Sequence, residues 1–268
     1  MKTDELVSIV LPYFNGKQFV LDTLESIRNQ TFSNFEVIVV DDGSTLKEHS
    51  EHLSSLIDSF SDSRFRYVFK ANGGLSDARN FGINNSNGMW IAFIDQDDIW
   101  EPTKLERQMD VVLKNIEVNF IFTDARFIGD IQGDMQVASK NNLQEGVVVN
   151  SYKKLLKGNF VTCSSILFRK SLVTKVGNSN PCFKICPDYE FIIRFSEHTD
   201  FYFINDTLVL YRIHGANTVK NELKLAAETV LLLCDRRVET RQEKLLATYN
   251  LISTFLSFSF NWVKKLLS

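Results

Sequence analysis

Along the first 116 residues, short and mostly apolar runs take turns with longer stretches in which apolar residues recur every three or four positions. Val7 to Leu11, Phe35 to Val40, Phe65 to Phe69 and Trp90 to Ile94 are the short runs. Apolar runs without alternation read as strands covered on both faces, as in a parallel sheet flanked by helices. Lys17 to Gln30, with Val20, Leu21, Leu24 and Ile27 at helical spacing, reads as a helix, and so do Leu46 to Phe60 and Pro102 to Ile116. A further helix is expected to open at Ser76, a good N-cap. Pro12 is expected to end the first strand, because it has no N–H for a ladder. This alternation predicts an α/β layer, right-handed and mostly parallel.

Beyond residue 116 the texture changes. Phe120 to Ile128, Val147 to Val149, Ser164 to Arg169 and Leu208 to His214 read as strands, the first two separated by a polar loop. A short helix over Ser171 to Val176 is closed by Gly177. The irregular stretch Pro181 to Pro187 leads to Asp188, placed to cap a helix over Tyr189 to His198 or to face a cleft. From Val219 the chain is helical. There Asn250, Thr254, Ser257 and Asn261 make a polar stripe on an apolar helix, which is too polar to span a bilayer. The stretch 245–268 reads equally as a peripheral membrane helix, with Phe255, Phe258, Phe260 and Trp262 toward lipid and Lys264 and Lys265 at the head groups, or as one packed on protein. The expected division is 1–217, in halves 1–116 and 117–217, with a C-terminal helical extension over 218–268.

The chemistry gathers where strands end. Trp90 to Ile94 runs into Asp95-Gln96-Asp97-Asp98, and ligands of open α/β sheets collect at the carboxyl ends of strands. Three carboxylates within four positions repel one another unless a positive charge joins them. A hard divalent cation, Mg²⁺ or Mn²⁺, completed by substrate phosphate oxygens, is the economical occupant. The plainer alternative is a solvated acidic turn into the helix that Glu101-Pro102 begins. The second strand likewise ends in Asp41-Asp42-Gly43-Ser44. In Asn72-Gly73-Gly74-Leu75-Ser76-Asp77-Ala78-Arg79, two glycines allow close backbone approach. The helix start would aim free amides at an anion, and Arg79 offers a fork for phosphate. The spacing fits neither a dinucleotide fingerprint nor a Walker loop. A simple turn with Arg79 in a surface ion pair is the other reading.

Bulk composition narrows the classes. With 268 residues, 44% hydrophobic and 24% charged, the chain suits one large globular domain or one and a half. A net charge of −3 leaves no basic footprint and argues against nucleic acid. Phe is unusually common, at 22. Cys163, Cys182, Cys186 and Cys234 form no paired metal or redox motif, and read as buried, reduced thiols of a cytosolic protein. Met1 to Glu5 lacks a signal-peptide pattern, so the protein is expected on the cytoplasmic side, at the inner face of the plasma membrane if it meets lipid.

Four segments together resemble glycosyltransferase family 2, inverting nucleotide-diphospho-sugar enzymes of the GT-A fold: Val7 to Asn15, Val37 to Ser44, Asn72 to Asn80 and Phe93 to Asp98. Cys163 to Arg169, Asp188 and Tyr211 to His214 match more loosely. The resemblance implies a GT-A fold, a Rossmann-like mixed sheet flanked by helices. It implies that Pro12, Tyr13 and Asn15 line a base pocket, with Asp42 and Asp41 on base or ribose. Gly73, Gly74 and Arg79 would flank the donor, and Asp95 and Gln96 would bind it. One or the other of Asp97 and Asp98 would hold Mn²⁺ or Mg²⁺, with His214 helping to hold metal or diphosphate. Asp188 would be the catalytic base, although Pro187 stands where the family carries Glu. The implied reaction moves one hexosyl or N-acetylhexosaminyl group from a nucleotide sugar, a UDP-sugar by expectation, to a saccharide acceptor. A lipid-linked precursor of a surface polysaccharide, such as lipopolysaccharide O-antigen or capsule, is the expected acceptor. A protein glycosyltransferase and a non-catalytic nucleotide-sugar-binding protein are the alternatives.

Overall fold

The computed structural model describes residues 5–215, 222–235, 243–244, 246–248 and 250–253. The first half follows the expected alternation: β1 (Val7–Tyr13), α1 (Val20–Arg28), β2 (Phe35–Asp41), α2 (Lys47–Phe60), β3 (Phe65–Phe69), α3 (Leu75–Asn84), β4 (Trp90–Phe93), β5 (Ile99–Trp100) and α4 (Lys104–Lys114). Then come β6 (Phe120–Gly129), β7 (Gly133–Asp134), α5 (Val137–Asn141), β8 (Gly146–Val148), α6 (Ser151–Leu155), β9 (Leu167–Arg169), α7 (Val173–Val176), α8 (Pro187–Ser196), β10 (Phe201–Ile213) and α9 (Glu222–Asp235). The sheet order is β3-β2-β1-β4-β9-β6-β10-β5, with β7 on β6 and β8 on β10. β3, β2, β1 and β4 are mutually parallel, and β9 runs antiparallel between β4 and β6. Two reversals restore direction, so β6 and its parallel neighbour β10 run the same way as β1.

Both faces of this mixed sheet are covered, which explains the unbroken apolar strands. Ile9, Leu11, Val37, Val39, Trp90 and Ala92 pack into one core, and Val10, Ile91 and Phe93 into the other. Alternate residues along a strand serve opposite layers. Phenylalanine fills the second layer: the rings of Phe120 and Phe201 stack with centroids 3.9 Å apart, and those of Phe191 and Phe195 lie 4.5 Å apart. α3 rides flush on β1, since a Cβ on Gly82 would come within 2.2 Å of Val10 Cγ1.

Several expectations are corrected. β1 continues through Pro12 to Tyr13. The Val10 carbonyl accepts from Ile94, and the two-residue repeat turns Pro12 to the same side, past the end of β4, where no ladder bond is lost. α3 starts at Leu75 with Gly74 as N-cap (φ 87°), and Ser76 instead donates to the Asn180 carbonyl at 3.2 Å. The polar loop after β6 holds β7 and α5, the strand expected at Val147 to Val149 is β8, and α6 follows it; β7, α5 and α6 are too short for periodicity to reveal. Cys163–Ser165 is a 3₁₀ turn rather than strand, because the serine hydroxyls bond elsewhere: Ser165 to the Thr162 carbonyl, Ser164 to Asp98. Cys186, not Asp188, is the N-cap of α8. Cys182 is exposed, whereas Cys163 and Cys186 are buried. The aromatic segment 255–262 lies outside the described residues. No described helix is long and apolar enough to cross a membrane.

Candidate active site

Because β1, β2, β4 and β10 run the same way, their carboxyl ends meet on one edge of the sheet. The loops that leave them, together with the starts of α3 and α8, enclose a cavity of about 640 Å³. Its walls include Pro12, Tyr13, Asn15, Asp42, Gly74, Arg79, Asp95, Gln96, Asp97, Asp188 and His214. Three of the residues singled out from sequence, Asp41, Gly73 and Asp98, are not part of that wall.

The acid loop after β4 divides its labour. Asp95 accepts a bond from Arg79 Nη2 at 2.7 Å. Asp97 Oδ2 lies 2.8 Å from His214 Nε2, which carries the end of β10 onto the loop. Asp98 turns inward, 1% exposed, and accepts bonds from Ser164 Oγ at 2.5 Å and the Arg212 N–H at 2.9 Å. Asp98 therefore fixes the loop to β10 and to the turn at Ser164, and of the neighbouring pair it is Asp97 that lines the cavity. Burial, with Asp95 second, pushes the Asp97 carboxyl above its ordinary range, against the pull of His214. Asp98 is pushed up further, first by burial and then by Asp97 and Asp95. Among the described residues no three His, Cys, Asp or Glu side chains are gathered into a metal-holding group. On the acid-loop side the cavity nevertheless presents the Asp95 and Asp97 carboxylates and the His214 imidazole, and burial disfavours the ionised form of Asp97. Hard oxygen donors in want of positive charge, with one imidazole, fit Mn²⁺ or Mg²⁺.

The neighbouring strand ends are braced around Tyr13. Gln96 Oε1 accepts from the Phe14 N–H at 2.9 Å, and Gln96 Nε2 donates to the Phe14 carbonyl at 3.2 Å. Gly16 allows this, since a Cβ there would lie 2.2 Å from Gln96 Oε1. Asn15, at φ 51°, ties this loop to the next through Thr45 and the Ser44 hydroxyl. Asp41 is fully buried and saturated by the Ser44 N–H, Ser50 and Tyr67, so it builds the loop instead of meeting a ligand. Asp42 faces the cavity, where Lys70 Nζ (2.6 Å) and the N–H groups of Gly73 (3.0 Å) and Gly74 (2.7 Å) hold its carboxylate. The two glycine amides just before α3 thus bind an anion of the protein's own.

Asp188 sits half-buried in the first turn of α8. Burial raises its carboxyl above the ordinary range; the Arg79 charge works the other way, and Asp95 adds to the rise. Arg79 is 2% exposed, with its Nε unpartnered among the described residues and its guanidinium 5.3 Å from the Phe93 ring centroid. It is a buried counter-charge for Asp95 and Asp188, not the free phosphate fork expected. On the far side of Asp188 opens a second cavity of about 460 Å³, which shares Asp95, Asp188 and Tyr211 with the first. Phe127, Met135, Phe160 and Val161 give it apolar walls, and Asn141, Asn159 and Lys140 give it polar groups. Burial, followed by the nearby Asp98, Asp95 and Asp188, keeps the Tyr211 phenol protonated.

Lys70 and Ser164 do as much here as the acids they hold, and reading the sequence missed both. Lys70 follows a strand that carries no motif. Ser164 lay in a segment whose resemblance was noted, but its bond to Asp98 spans 66 positions.

Known proteins place the chain in a family and a fold. The family model described as glycosyl transferase family 2 matches residues 8–177. An uncharacterized glycosyltransferase of Rickettsia prowazekii is 30% identical over 83% of this chain and 69% of its own length. The UDP-Glc:alpha-D-GlcNAc-diphosphoundecaprenol beta-1,3-glucosyltransferase WfgD of Escherichia coli is 30% identical over 63% of this chain and 62% of its own length. Among solved structures, S. aureus TarS in complex with UDP-GlcNAc superposes with a TM-score of 0.73 at 15% identity, over 92% of this chain and 71% of that one. The mannosyltransferase PcManGT of Pyrobaculum calidifontis, in complex with GDP-Man and Mn2+, gives 0.70 at 15% identity over 91% and 69%. At these identities the structures speak for the fold alone, and the fold is GT-A.

Proposed function

The chain belongs to glycosyl transferase family 2, and on that premise we propose that it is a metal-dependent, inverting transferase. It moves one hexosyl or N-acetylhexosaminyl group from a UDP-sugar to a hydroxyl of a lipid-linked saccharide, a precursor of bacterial surface polysaccharide such as O-antigen or capsule. One observation carries the reading: Asp42, Asp95, Asp97, His214 and Asp188 all line a single cavity. The UDP donor is supported by the UDP-GlcNAc of the TarS complex and the UDP-Glc in the name of the Escherichia coli relative. That relative's diphosphoundecaprenol-linked substrate supports the acceptor class.

Pro12 and Tyr13 flank the base, Asn15 and Gln96 hold their loop, and Asp42 meets base or ribose. Gly74 lets the donor approach the backbone closely. Asp95, Asp97 and His214 are the residues that would hold the cation. When bound, a divalent cation neutralises charge on the departing nucleoside diphosphate as a Lewis acid. The acceptor enters from the second cavity, whose apolar walls and amides suit the faces and hydroxyls of a sugar ring. Asp188 takes the proton from the acceptor hydroxyl as that oxygen bonds the anomeric carbon and the sugar–phosphate bond breaks. A single displacement with one base inverts the anomeric configuration. A lipid-linked acceptor sets the reaction at the inner face of the plasma membrane, to which the aromatic sequence of 245–268 is suited.

The test is a screen of UDP-, dTDP- and GDP-sugars with Mn²⁺ or Mg²⁺ and a panel of lipid-diphosphate saccharides, the product anomer being assigned by NMR. The expected result is metal-dependent transfer of one sugar with inversion. Transfer to polypeptide only, or from no donor, overturns the reading.

A further inference from the structure

α9 lies beyond the residues that the family model matches, yet it grips the segment that leads into Asp188. Glu228, half-buried on α9, accepts three successive backbone N–H bonds: from Lys184 at 2.9 Å, Ile185 at 2.8 Å and Cys186 at 3.0 Å. Lys184, Ile185, Pro187 and Asp188 all line the larger cavity. The Cys186 thiol also points at this carboxylate, at 3.6 Å. Cys186 is the N-cap of α8 and offers no side-chain cap, and Pro187 has no N–H to give. The N–H groups of the three residues just before α8 are therefore held by a carboxylate from another helix, in addition to Asp188 and Glu190 in the first turn of α8 itself, and the helix dipole favours negative charge there.

A second tie comes from further along the chain. The side-chain amide of Asn250, 5% exposed, donates to the Tyr189 hydroxyl at 3.1 Å, and Tyr189 in turn donates to the Leu155 carbonyl. The residues on both sides of Asp188 are thus held by C-terminal helical segments. α9 itself does not depend on Glu228 for its seat, because Leu232 and Leu233 are buried in the phenylalanine-rich core. Burial pushes the Glu228 carboxyl up, and the N–H groups of Cys186, Lys184 and Ile185 outweigh this and leave it below the ordinary range. That is the behaviour of a carboxylate held as an anion.

We infer that Glu228 is a positioning residue for the transfer reaction: by pinning residues 184–186 it fixes Asp188 against the acceptor and shapes the donor wall at Lys184 and Ile185. The inference rests on the reading of Asp188 as the base. It makes the C-terminal helices a working part of the site. It also gives a physical counterpart to the acidic neighbour absent at Pro187, since a carboxylate does serve this helix start, from 42 positions away.

The test uses E228A, E228Q, D188N and the double variant in the full chain, with the UDP-sugar that supports turnover. In E228A, hydrogen exchange at the amides of residues 184–186 accelerates at least about tenfold, while the sheet stays protected. The kcat falls about 100-fold, the loss a displaced catalytic group entails, and E228Q, which keeps one acceptor oxygen, falls about tenfold. Because Glu228 acts through Asp188, adding E228A to D188N lowers the residual rate by no more than about twofold. Unchanged exchange at 184–186, or losses that multiply in the double variant, overturn the inference. Full turnover in D188N removes the base assignment and this inference together. A crippled D188N beside an unaffected E228A removes only the clamp. If E228A does not fold, E228Q carries the same measurements.

Discussion

Asp97 and His214 stand 117 positions apart in sequence and 2.8 Å apart in space. The pair joins the loop after β4 to the end of β10, and Arg212 tightens the same junction by donating from Nε to the Asp97 carbonyl at 2.9 Å. If these side chains hold the cation, Asp97→Asn and His214→Ala abolish the extra thermal stabilisation that UDP gains when Mn²⁺ is added. The Tm of the metal-free, ligand-free protein moves little. Thermal shift with UDP, Mn²⁺ and both together reads this, and an undiminished Mn²⁺ effect in both variants removes them from the metal site.

Asp98 predicts the opposite pattern. Asp98→Ala leaves the Ser164 hydroxyl and the Arg212 N–H without their buried acceptor. The expected cost is about 1–3 kcal/mol of folding stability. Urea unfolding should show it as a lower midpoint, with affinity for UDP retained in the folded fraction. A variant as stable as the parent that has lost Mn²⁺ dependence would return Asp98 to the metal site.

For Asp188, replacement by Asn removes the proton acceptor and should lower kcat about 10²- to 10⁴-fold with UDP affinity preserved. Isothermal titration alongside steady-state rates separates the two quantities. A comparable loss of UDP affinity would show that the residue binds donor instead.

The pH dependence follows from the same carboxyl. Since burial raises it, the acidic limb of kcat/KM should bend above the usual carboxylate range, with activity rising as Asp188 loses its proton. Arg79→Met removes the charge that holds it down and should carry the bend to still higher pH. Stability runs the other way. A carboxyl that is raised in the folded state binds more protons there than in the unfolded chain, so its contribution is lost as pH climbs from the unfolded toward the folded value. D188N should therefore exceed the parent in Tm at neutral pH and match it in acid. A limb at the ordinary carboxylate position in both proteins would contradict this.

Packing supplies a further check. Gly82→Ala would drive a Cβ to 2.2 Å from Val10 Cγ1 under the centre of the sheet. Overpacking of this kind costs about 1–3 kcal/mol, again measurable by urea midpoint. No loss would mean that α3 can lift from β1.

The strands and the helices over them were legible because both faces of the sheet are covered, which leaves apolar runs that periodicity can catch. The strand-end acids were legible as groups but not as individuals. Asp41 and Asp42 are neighbours, and so are Asp97 and Asp98, yet one of each pair enters the cavity and the other enters the fold. Adjacent residues at a strand end point opposite ways, and only the third dimension says which way is out. Pro12 misled because its missing N–H matters only where a partner strand exists. Arg79 looked like a free fork since nothing local reveals that Asp95 and Asp188 surround it. Glu228 had no signal at all: its partners are backbone N–H groups, which leave no mark on the identity of the residues that carry them.

Among the described residues β10 is the last strand of the sheet to be made, and it brings Tyr211 and, just past its end, His214. During synthesis the acid loop leaves the ribosome more than a hundred residues before its imidazole partner. A nascent chain that has folded only through β4 carries carboxylates but no completed cavity. On the proposed reaction, competence for substrate arrives only once residue 214 has been made, so a product that stops short of β10 is expected to be inert and not a weakened enzyme.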